Sequence, residues 1–289
     1  MTASFGARLA AEFAAGRHLC AGIDPHAPLL GEWGLGDDAA GAERMGREVV
    51  AAAAGVAACV KPQVAFFERH GSAGIAALER VLADARAAGL LVVADVKRGD
   101  IGSSFAAYAD AWLAPGSPLE CDAMTVAAYQ GFGTLEGAFG HVREHGKGLF
   151  VLAATSNPEA RAVQTALRED GATIAAAMVR DVAALNRSEF PGDSVGSAGV
   201  VIGATLRLSD YGIEVGTAGS GIGLAGPALP VLAPGFGHQG ARIQDAAEIF
   251  GALGRAVLAN ESRGILAGGS DGLGERIRAR AAAIAEALH

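Results

Sequence analysis

Short apolar segments alternate with alanine-rich helical patterns along the whole of this sequence. Eight segments have the length and composition of buried strands: His18–Asp24, Ala58–Gln63, Leu90–Lys97, Ala123–Ala127, Gly148–Ala154, Ala198–Gly203, Pro230–Ala233 and Arg255–Ala259. Continuous apolar strands are typical of parallel sheets that are covered on both faces. Eight such units in 289 residues favour a (β/α)8 TIM barrel, with an open doubly wound sheet as the alternative.

The segments between the strands have the spacing of amphipathic helices. One helix is indicated by apolar residues three or four positions apart, namely Ile75, Leu78, Leu82 and Ala85. Gly89 follows it as a C-cap, and Ala241–Leu253 and Gly274–Leu288 have the same helical pattern. The glycine-rich stretch Leu206–Gly226 has no helical periodicity. We therefore expect residues 1–289 to form a single barrel domain, with an irregular crossover or lid at about 206–226.

Composition and charge exclude several classes of protein. Hydrophobic residues make up 51% of the chain, so a large core is available, and the net charge of −8 argues against a nucleic-acid-binding surface. No apolar run approaches the roughly 18 residues of a membrane span, and the N-terminus lacks a signal-peptide pattern. Cys20, Cys59 and Cys121 lie in or beside apolar runs, which indicates buried thiols in a reducing compartment. We expect a cytoplasmic protein.

The third predicted strand ends in a set of charged residues. Asp95 and Lys97 are two positions apart, so their side chains share one face of an extended strand, and Asp100 follows in the loop. Charges at a strand end usually form a solvated ion pair. This set, however, begins inside the buried apolar pattern, where an unpaired charge is costly.

Lysine is rare in this sequence. Of the 23 basic residues, only Lys61, Lys97 and Lys147 are lysines. An ammonium group can donate a proton, whereas a guanidinium group stays protonated, so we interpret Lys97 as a functional residue. Lys61 lies near the C-terminal end of the second predicted strand and faces the same end of the barrel. Lys147 precedes the fifth strand at the opposite rim, and we expect it to be solvated.

In a barrel, the active site lies where the C-terminal ends of the strands converge. Besides the third strand, five of those ends contribute polar side chains: Asp24, Lys61, Ser156, Gln239 and Arg263. The loop after the seventh strand contains three glycines whose backbone N–H groups could approach a phosphate: Gly235, Gly237 and Gly240. Arg263 could bind the same anion, so a phosphate site is favoured here. No cluster has the spacing of metal ligands.

The segment Asp95-Val-Lys97-Arg-Gly-Asp100-Ile101 resembles the D-x-K-x-x-D-I signature of the orotidine 5′-monophosphate decarboxylase family. Four flanking motifs are similar to the longer bacterial branch of that family, type 2: Phe5-Gly-Ala-Arg8-Leu, Gly22-Ile-Asp24-Pro-His26, Val60-Lys61-Pro-Gln63-Val-Ala-Phe-Phe-Glu68 and Thr155-Ser-Asn-Pro158. The resemblance extends from about Phe5 to Arg263, which is nearly the whole chain.

This resemblance implies a homodimeric (β/α)8 lyase that needs no cofactor and no metal. The family converts orotidine 5′-monophosphate to UMP and CO2, the last step of de novo pyrimidine biosynthesis. By the same resemblance, Asp24 and Lys61 bind the ribose hydroxyls and Ser156 contacts the pyrimidine. Gln239 and Arg263 are likewise implied to bind the phosphate.

The remaining motif residues are implied to form the catalytic charge network. Lys97 would stabilise a carbanion at C6 of the pyrimidine and then protonate it. Asp95 and Asp100 would flank Lys97 and keep it charged. Asp100 and Ile101 would reach across the dimer interface into the site of the neighbouring subunit.

Two other functions remain as alternatives. A Mg²⁺-dependent sugar-phosphate lyase or decarboxylase of the same superfamily would share the D-x-K-x-x-D strand, but such enzymes place a metal-binding glutamate where this chain has Lys61. A non-catalytic nucleotide-phosphate sensor could use the same barrel, because fold alone does not define function. A sensor, however, has no need of two carboxylates around Lys97.

Overall fold

The computed structural model describes residues 2–214 and 226–288. Its eight strands are parallel and close into a barrel in sequence order, because the last strand pairs with the first. The strands are β1 (Leu19–Ile23), β2 (Cys59–Pro62), β3 (Leu91–Arg98), β4 (Ala123–Val126), β5 (Gly148–Ala154), β6 (Ala198–Ile202), β7 (Val231–Pro234) and β8 (Val257–Glu261). The prediction of a TIM barrel is confirmed.

Helices alternate with these strands, and most of them cover the outside of the barrel. They are α1 (Phe5–Ala14), α2 (Ala27–Glu32), α3 (Ala39–Ala53), α4 (Ala65–Glu68), α5 (Gly71–Ala87), α6 (Gly102–Leu113), α7 (Glu136–Glu144), α8 (Arg161–Gln164), α9 (Ile174–Glu189), α10 (Ala246–Phe250), α11 (Arg263–Leu266) and α12 (Leu273–Leu288). Gly89 follows α5 with a φ of 71°, a left-handed conformation that suits glycine at a helix end.

Two predicted segments differ from the structure in part. Ala241–Leu253 was expected to form one helix, but only α10 is α-helical there, and Gly251, with a φ of 46°, ends it. Within the predicted crossover Leu206–Gly226, Leu208–Tyr211 forms a short 3-10 helix. The rest of that prediction falls mainly on residues 215–225, which lie outside the described residues.

The core has two parts, one inside the barrel and one between the barrel and its helices. Helix α1 closes the N-terminal end of the barrel, where Phe5 packs edge-on against Phe150 of β5 at a centroid distance of 6.0 Å. A Cβ added to Gly148 would lie 2.4 Å from the Phe5 ring, so only glycine leaves room for that ring. Arg8 of α1 binds Asp122, which immediately precedes β4.

The prediction that Lys147 is solvated is wrong. Its side chain is buried at the N-terminal end of the barrel, where Nζ donates to Glu120 Oε1 at 2.6 Å and to the Cys121 carbonyl at 2.9 Å. The long aliphatic part of lysine lets the ammonium reach these partners from a buried backbone position. The three cysteines are buried, as expected. Among the described helices, none is both long and apolar enough to cross a bilayer.

Candidate active site

The carboxylate of Asp95 is the centre of a hydrogen-bonded network at the C-terminal end of β3. Its Oδ1 accepts from Lys97 Nζ at 2.6 Å and from Thr125 Oγ1 at 2.8 Å. Its Oδ2 accepts from Lys61 Nζ at 2.9 Å. It also accepts from the side-chain amide nitrogen of Gln63 at 2.8 Å, in the amide orientation in which both the oxygen and the nitrogen have hydrogen-bond partners. Four donors from three strand ends thus bind one carboxylate.

The charges in this network stabilise one another. Burial alone would raise the pKa of the Asp95 carboxyl, but Lys61 and Lys97 hold that pKa well below its usual value. Burial alone would lower the pKa of Lys61, but the carboxylates of Asp95 and Asp24 raise it above its usual value. Asp95 and Lys61 are therefore both charged at neutral pH.

Lys97 has an unusual backbone conformation. Its φ is 48°, which makes it the one non-glycine residue with positive φ in the part of the chain that the structure describes. The ladder between β3 and β4 shifts register between Ala94 and Arg98, and the Lys97 N–H donates to Thr125 Oγ1 at 2.9 Å. The two-residue alternation predicted for an extended strand therefore fails at Lys97, although Nζ still reaches Asp95. Strained backbone of this kind is concentrated at functional sites.

Six of the twelve predicted site residues line a single cavity of about 260 Å³. From the predicted set they are Asp24, Lys61, Asp95, Lys97, Ser156 and Gln239. The Lys97 side chain is 43% exposed, so its ammonium is open to the cavity as well as paired with Asp95. The floor of the cavity is apolar and is formed by Leu152, Val201 and Leu232. This cavity has one charged wall and an apolar floor.

A second, smaller cavity of about 70 Å³ adjoins the first and shares Gln239 with it. Arg263 and Gly235 line this small cavity, and Arg263 makes no ion pair within residues 2–214 and 226–288. Ser262 Oγ is buried there without a hydrogen-bond partner among those residues. A guanidinium and an unpaired hydroxyl in one small cavity are suited to bind an anion.

The glycine loop contributes to this cavity less directly than the sequence suggests. Gly235, Gly237 and Gly240 have positive φ values of 121°, 69° and 103°. The Gly237 N–H donates to the Ala241 carbonyl, however, and the Gly240 N–H donates to the Gly237 carbonyl. These two N–H groups are paired within the turn, and the expectation that they approach a phosphate stays a prediction. Gly235 lies in the cavity wall.

Asp100 and Ile101 lie outside both cavities. Asp100 Oδ1 accepts from the Ile101 N–H at 2.8 Å, next to the start of α6. Ile101 is 59% exposed, and Tyr108 and Tyr129 are exposed as well. Within this chain, Asp100 is therefore not brought to Lys97.

Sequence reasoning missed three residues of the site. Thr125 and Gln63 bind Asp95 directly, and Asn260 of β8 lines both cavities. Thr125 could have been found as the polar residue within the apolar strand β4. Gln63 stands in the motif Val60–Glu68, directly after Lys61 and Pro62, and Asn260 is the polar position before Glu261 at the end of β8.

The fold and this geometry define a class: a (β/α)8 barrel with a charged, ligand-sized cavity at the C-terminal strand ends and an adjoining anion subsite. Residues 17–270 match the model of the orotidine 5′-phosphate decarboxylase / HUMPS family. The chain belongs to that family.

Named relatives agree with this assignment. The chain is 52% identical over 268 residues to the orotidine 5′-phosphate decarboxylase of Streptomyces coelicolor, which covers 92% of this chain and 91% of that protein. It is also 52% identical to the enzyme of the same name from a Nocardioides species, with 91% of each covered. A crystal structure from Streptomyces avermitilis superposes with a TM-score of 0.89 at 49% identity, covering 99% of this chain and 96% of the other. The structure of Leishmania donovani OMP decarboxylase superposes with a TM-score of 0.74 at 27% identity, covering 98% and 99%.

Proposed function

We propose that this chain is an orotidine 5′-phosphate decarboxylase, which forms UMP and CO2 in pyrimidine biosynthesis without a cofactor. The observation that carries the proposal is the position of Lys97. Its ammonium is 2.6 Å from Asp95 Oδ1 and opens onto the cavity that leads to Arg263. Relatives about half identical over nearly the whole chain have this name.

The chemistry requires stabilisation of a carbanion. When the bond between C6 and the carboxylate breaks, CO2 leaves and the electron pair remains on C6. The Lys97 ammonium is already in place, so it stabilises that charge without reorganisation, and it then transfers a proton to C6 to give UMP. Asp95 lies beside Lys97, so loss of CO2 also relieves the repulsion between the Asp95 carboxylate and the carboxylate of the substrate. Lys97 regains its proton from solvent.

The other lining residues bind the parts of the substrate that do not react. Asp24 and Lys61 would bind the ribose hydroxyls. Asp24 Oδ1 is buried without a partner among the described residues, so it is available to accept a hydrogen bond from a hydroxyl. Ser156 would contact the pyrimidine from the loop after β5. Gln239 and Arg263 would bind the phosphate in the smaller cavity, where binding energy remote from C6 helps to order the reacting groups.

We include a homodimer in this proposal, with Asp100 and Ile101 contributed to the site of the partner. Both lie outside the cavity of their own chain, and the exposed apolar side chains Ile101, Tyr108 and Tyr129 would be covered by a second copy. Mixing inactive Lys97→Ala and Asp100→Ala proteins should restore part of the activity, because one site of a hybrid dimer is intact. Subunit exchange without any recovery of turnover would contradict this role.

The metal-dependent alternative is disfavoured by Lys61. A divalent cation would have to bind where the Lys61 ammonium lies 2.9 Å from Asp95 Oδ2, and like charges at such distances repel strongly in a buried site. A sensor needs only to bind its ligand, so the sensor alternative does not explain the strained backbone at Lys97. The three buried cysteines fit the reducing cytoplasm, which we propose as the location.

One assay separates the three functions. The purified protein is treated with EDTA, given orotidine 5′-monophosphate, and followed by the ultraviolet absorbance change that accompanies UMP formation. We expect turnover that survives the chelator. Activity on a sugar phosphate only after Mg²⁺ is returned would support the metal-dependent alternative. UMP binding with no turnover in either assay would support the sensor.

A further inference from the structure

Glu261, the last residue of β8, borders the proposed phosphate subsite although its charge has the same sign as a phosphate. It is only 3% exposed and lines the small cavity together with Arg263 and Gln239. Asn260 faces the barrel interior, so Glu261 faces the surrounding helices. A buried carboxylate in that position would repel a bound anion unless its charge were balanced.

The Glu261 carboxylate lies against the two turns that border the subsite. A Cβ added to Gly237, in the loop after β7, would lie 3.3 Å from Glu261 Oε2. A Cβ added to Gly264, just after Arg263, would lie 3.3 Å from the same oxygen. One carboxylate is thus packed close to the backbone of both turns, and its position affects where both turns lie.

Arg280 of α12 binds this carboxylate and does not itself line the subsite. Its Nε donates to Glu261 Oε2 at 2.9 Å and its Nη2 donates to Oε1. A guanidinium that binds a carboxylate through two parallel hydrogen bonds fixes its orientation as well as balancing its charge. Arg278, two residues earlier on the same helix, is exposed and does not bind Glu261.

We propose that Arg280 is a positioning residue for phosphate binding, which it supports by neutralising the charge of Glu261 beside the subsite. This inference rests on the proposed function, because the anion is the phosphate of the nucleotide. Arg280 acts through Glu261 and does not contact the ligand. A pair that only stabilised the fold would not distinguish a ligand with a phosphate from one without.

The test compares the affinities of UMP and uridine by calorimetry. We expect Arg280→Gln to weaken UMP binding on the order of tenfold, because Glu261 is then an unbalanced negative charge beside the phosphate. Uridine binding should be unchanged. Arg278→Gln is the matched control and should leave both affinities as in the wild type.

A double substitution isolates the charge of Glu261. Glu261→Gln combined with Arg280→Gln removes both charges, so UMP affinity should return to within about threefold of the wild type. If Arg280→Gln does not fold, Glu261→Gln alone provides the test: it removes the repulsive charge and leaves Arg280, so UMP should bind a few-fold more tightly, with uridine unchanged.

Three results in the variants would overturn the inference: equal weakening of UMP and uridine in Arg280→Gln, no recovery in the double variant, or no tightening in Glu261→Gln. The wild-type protein separates this inference from the proposed function. A wild type that binds UMP more tightly than uridine but does not decarboxylate the substrate would refute the enzyme assignment only. A wild type that binds UMP no better than uridine would refute both.

Discussion

Lys97 and Lys147 lie at opposite ends of the same barrel and form similar ion pairs in different surroundings. Each ammonium is 2.6 Å from a carboxylate oxygen, of Asp95 in one case and of Glu120 in the other. Lys147 is enclosed, with its side chain 7% exposed and a backbone carbonyl as a second acceptor. Lys97 is 43% exposed and opens onto a cavity.

This difference shows what distinguishes a reactive lysine from a structural one here. The ion-pair distance is the same in both cases, so pairing with a carboxylate does not by itself distinguish the reactive lysine from the structural one. Lys97 has space for a ligand beside its ammonium, and its backbone is in a left-handed conformation that costs about 1–2 kcal/mol for an L-residue. Lys147 has neither feature. Substitutions at the two ends should therefore separate activity from stability.

The largest effect is expected for Lys97→Ala. The variant loses both the charge that stabilises the carbanion and the proton donor, so kcat should fall by at least about 10³-fold. UMP should still bind, because the residues proposed to hold ribose and phosphate are untouched. Steady-state kinetics and calorimetry measure the two quantities. Near-normal turnover, or loss of folding, would contradict the assignment.

A smaller effect on activity is expected for Thr125→Val. Thr125 is only 1% exposed and binds both members of the pair: it donates to Asp95 and accepts from the Lys97 N–H. Valine keeps the shape but loses both hydrogen bonds, so Lys97 should be less well positioned and kcat should fall about 10- to 100-fold. Thr125→Ser keeps the hydroxyl and should retain most of the activity. Equal kcat values for the two variants would exclude a positioning role.

The barrel could be predicted from the sequence because its strands are buried on both faces and give an unambiguous apolar signal. Each predicted strand lies within two residues of the observed one at either end. The family-like motif likewise located Asp95 and Lys97. Patterns of this kind depend on residues that are close in sequence.

Features that depend on contacts between distant segments could not be predicted. The role of Thr125 requires the register of β4 against β3, including a shift that a single strand does not reveal. Glu261 is paired with Arg280, 19 positions away on another element. Lys147 was misjudged because its partners, Glu120 and Cys121, precede a different strand.

The smallest effect on catalysis, and a measurable one on stability, is expected for Lys147→Met. The variant should keep the kcat of the wild type, because Lys147 is at the end of the barrel away from the cavity. It leaves Glu120 without its closest cation, so the free energy of unfolding should fall by about 1–3 kcal/mol, less than for a fully buried pair because Glu120 is partly exposed. Thermal unfolding and kinetics measure both quantities.

The pH dependence tests whether this loss of stability comes from the ion pair. Burial alone would raise the pKa of Glu120, but Lys147 and the Gly116 N–H lower it below its usual value. A lowered carboxyl pKa contributes stability above the unfolded-state value of about 4.3, and that contribution is lost as the pH falls through the folded-state pKa. The difference in Tm between wild type and Lys147→Met should therefore be constant near neutral pH and narrow below about pH 4. A difference that stayed constant down to pH 3 would indicate that packing of the Lys147 side chain, and not its charge, holds this end of the barrel together.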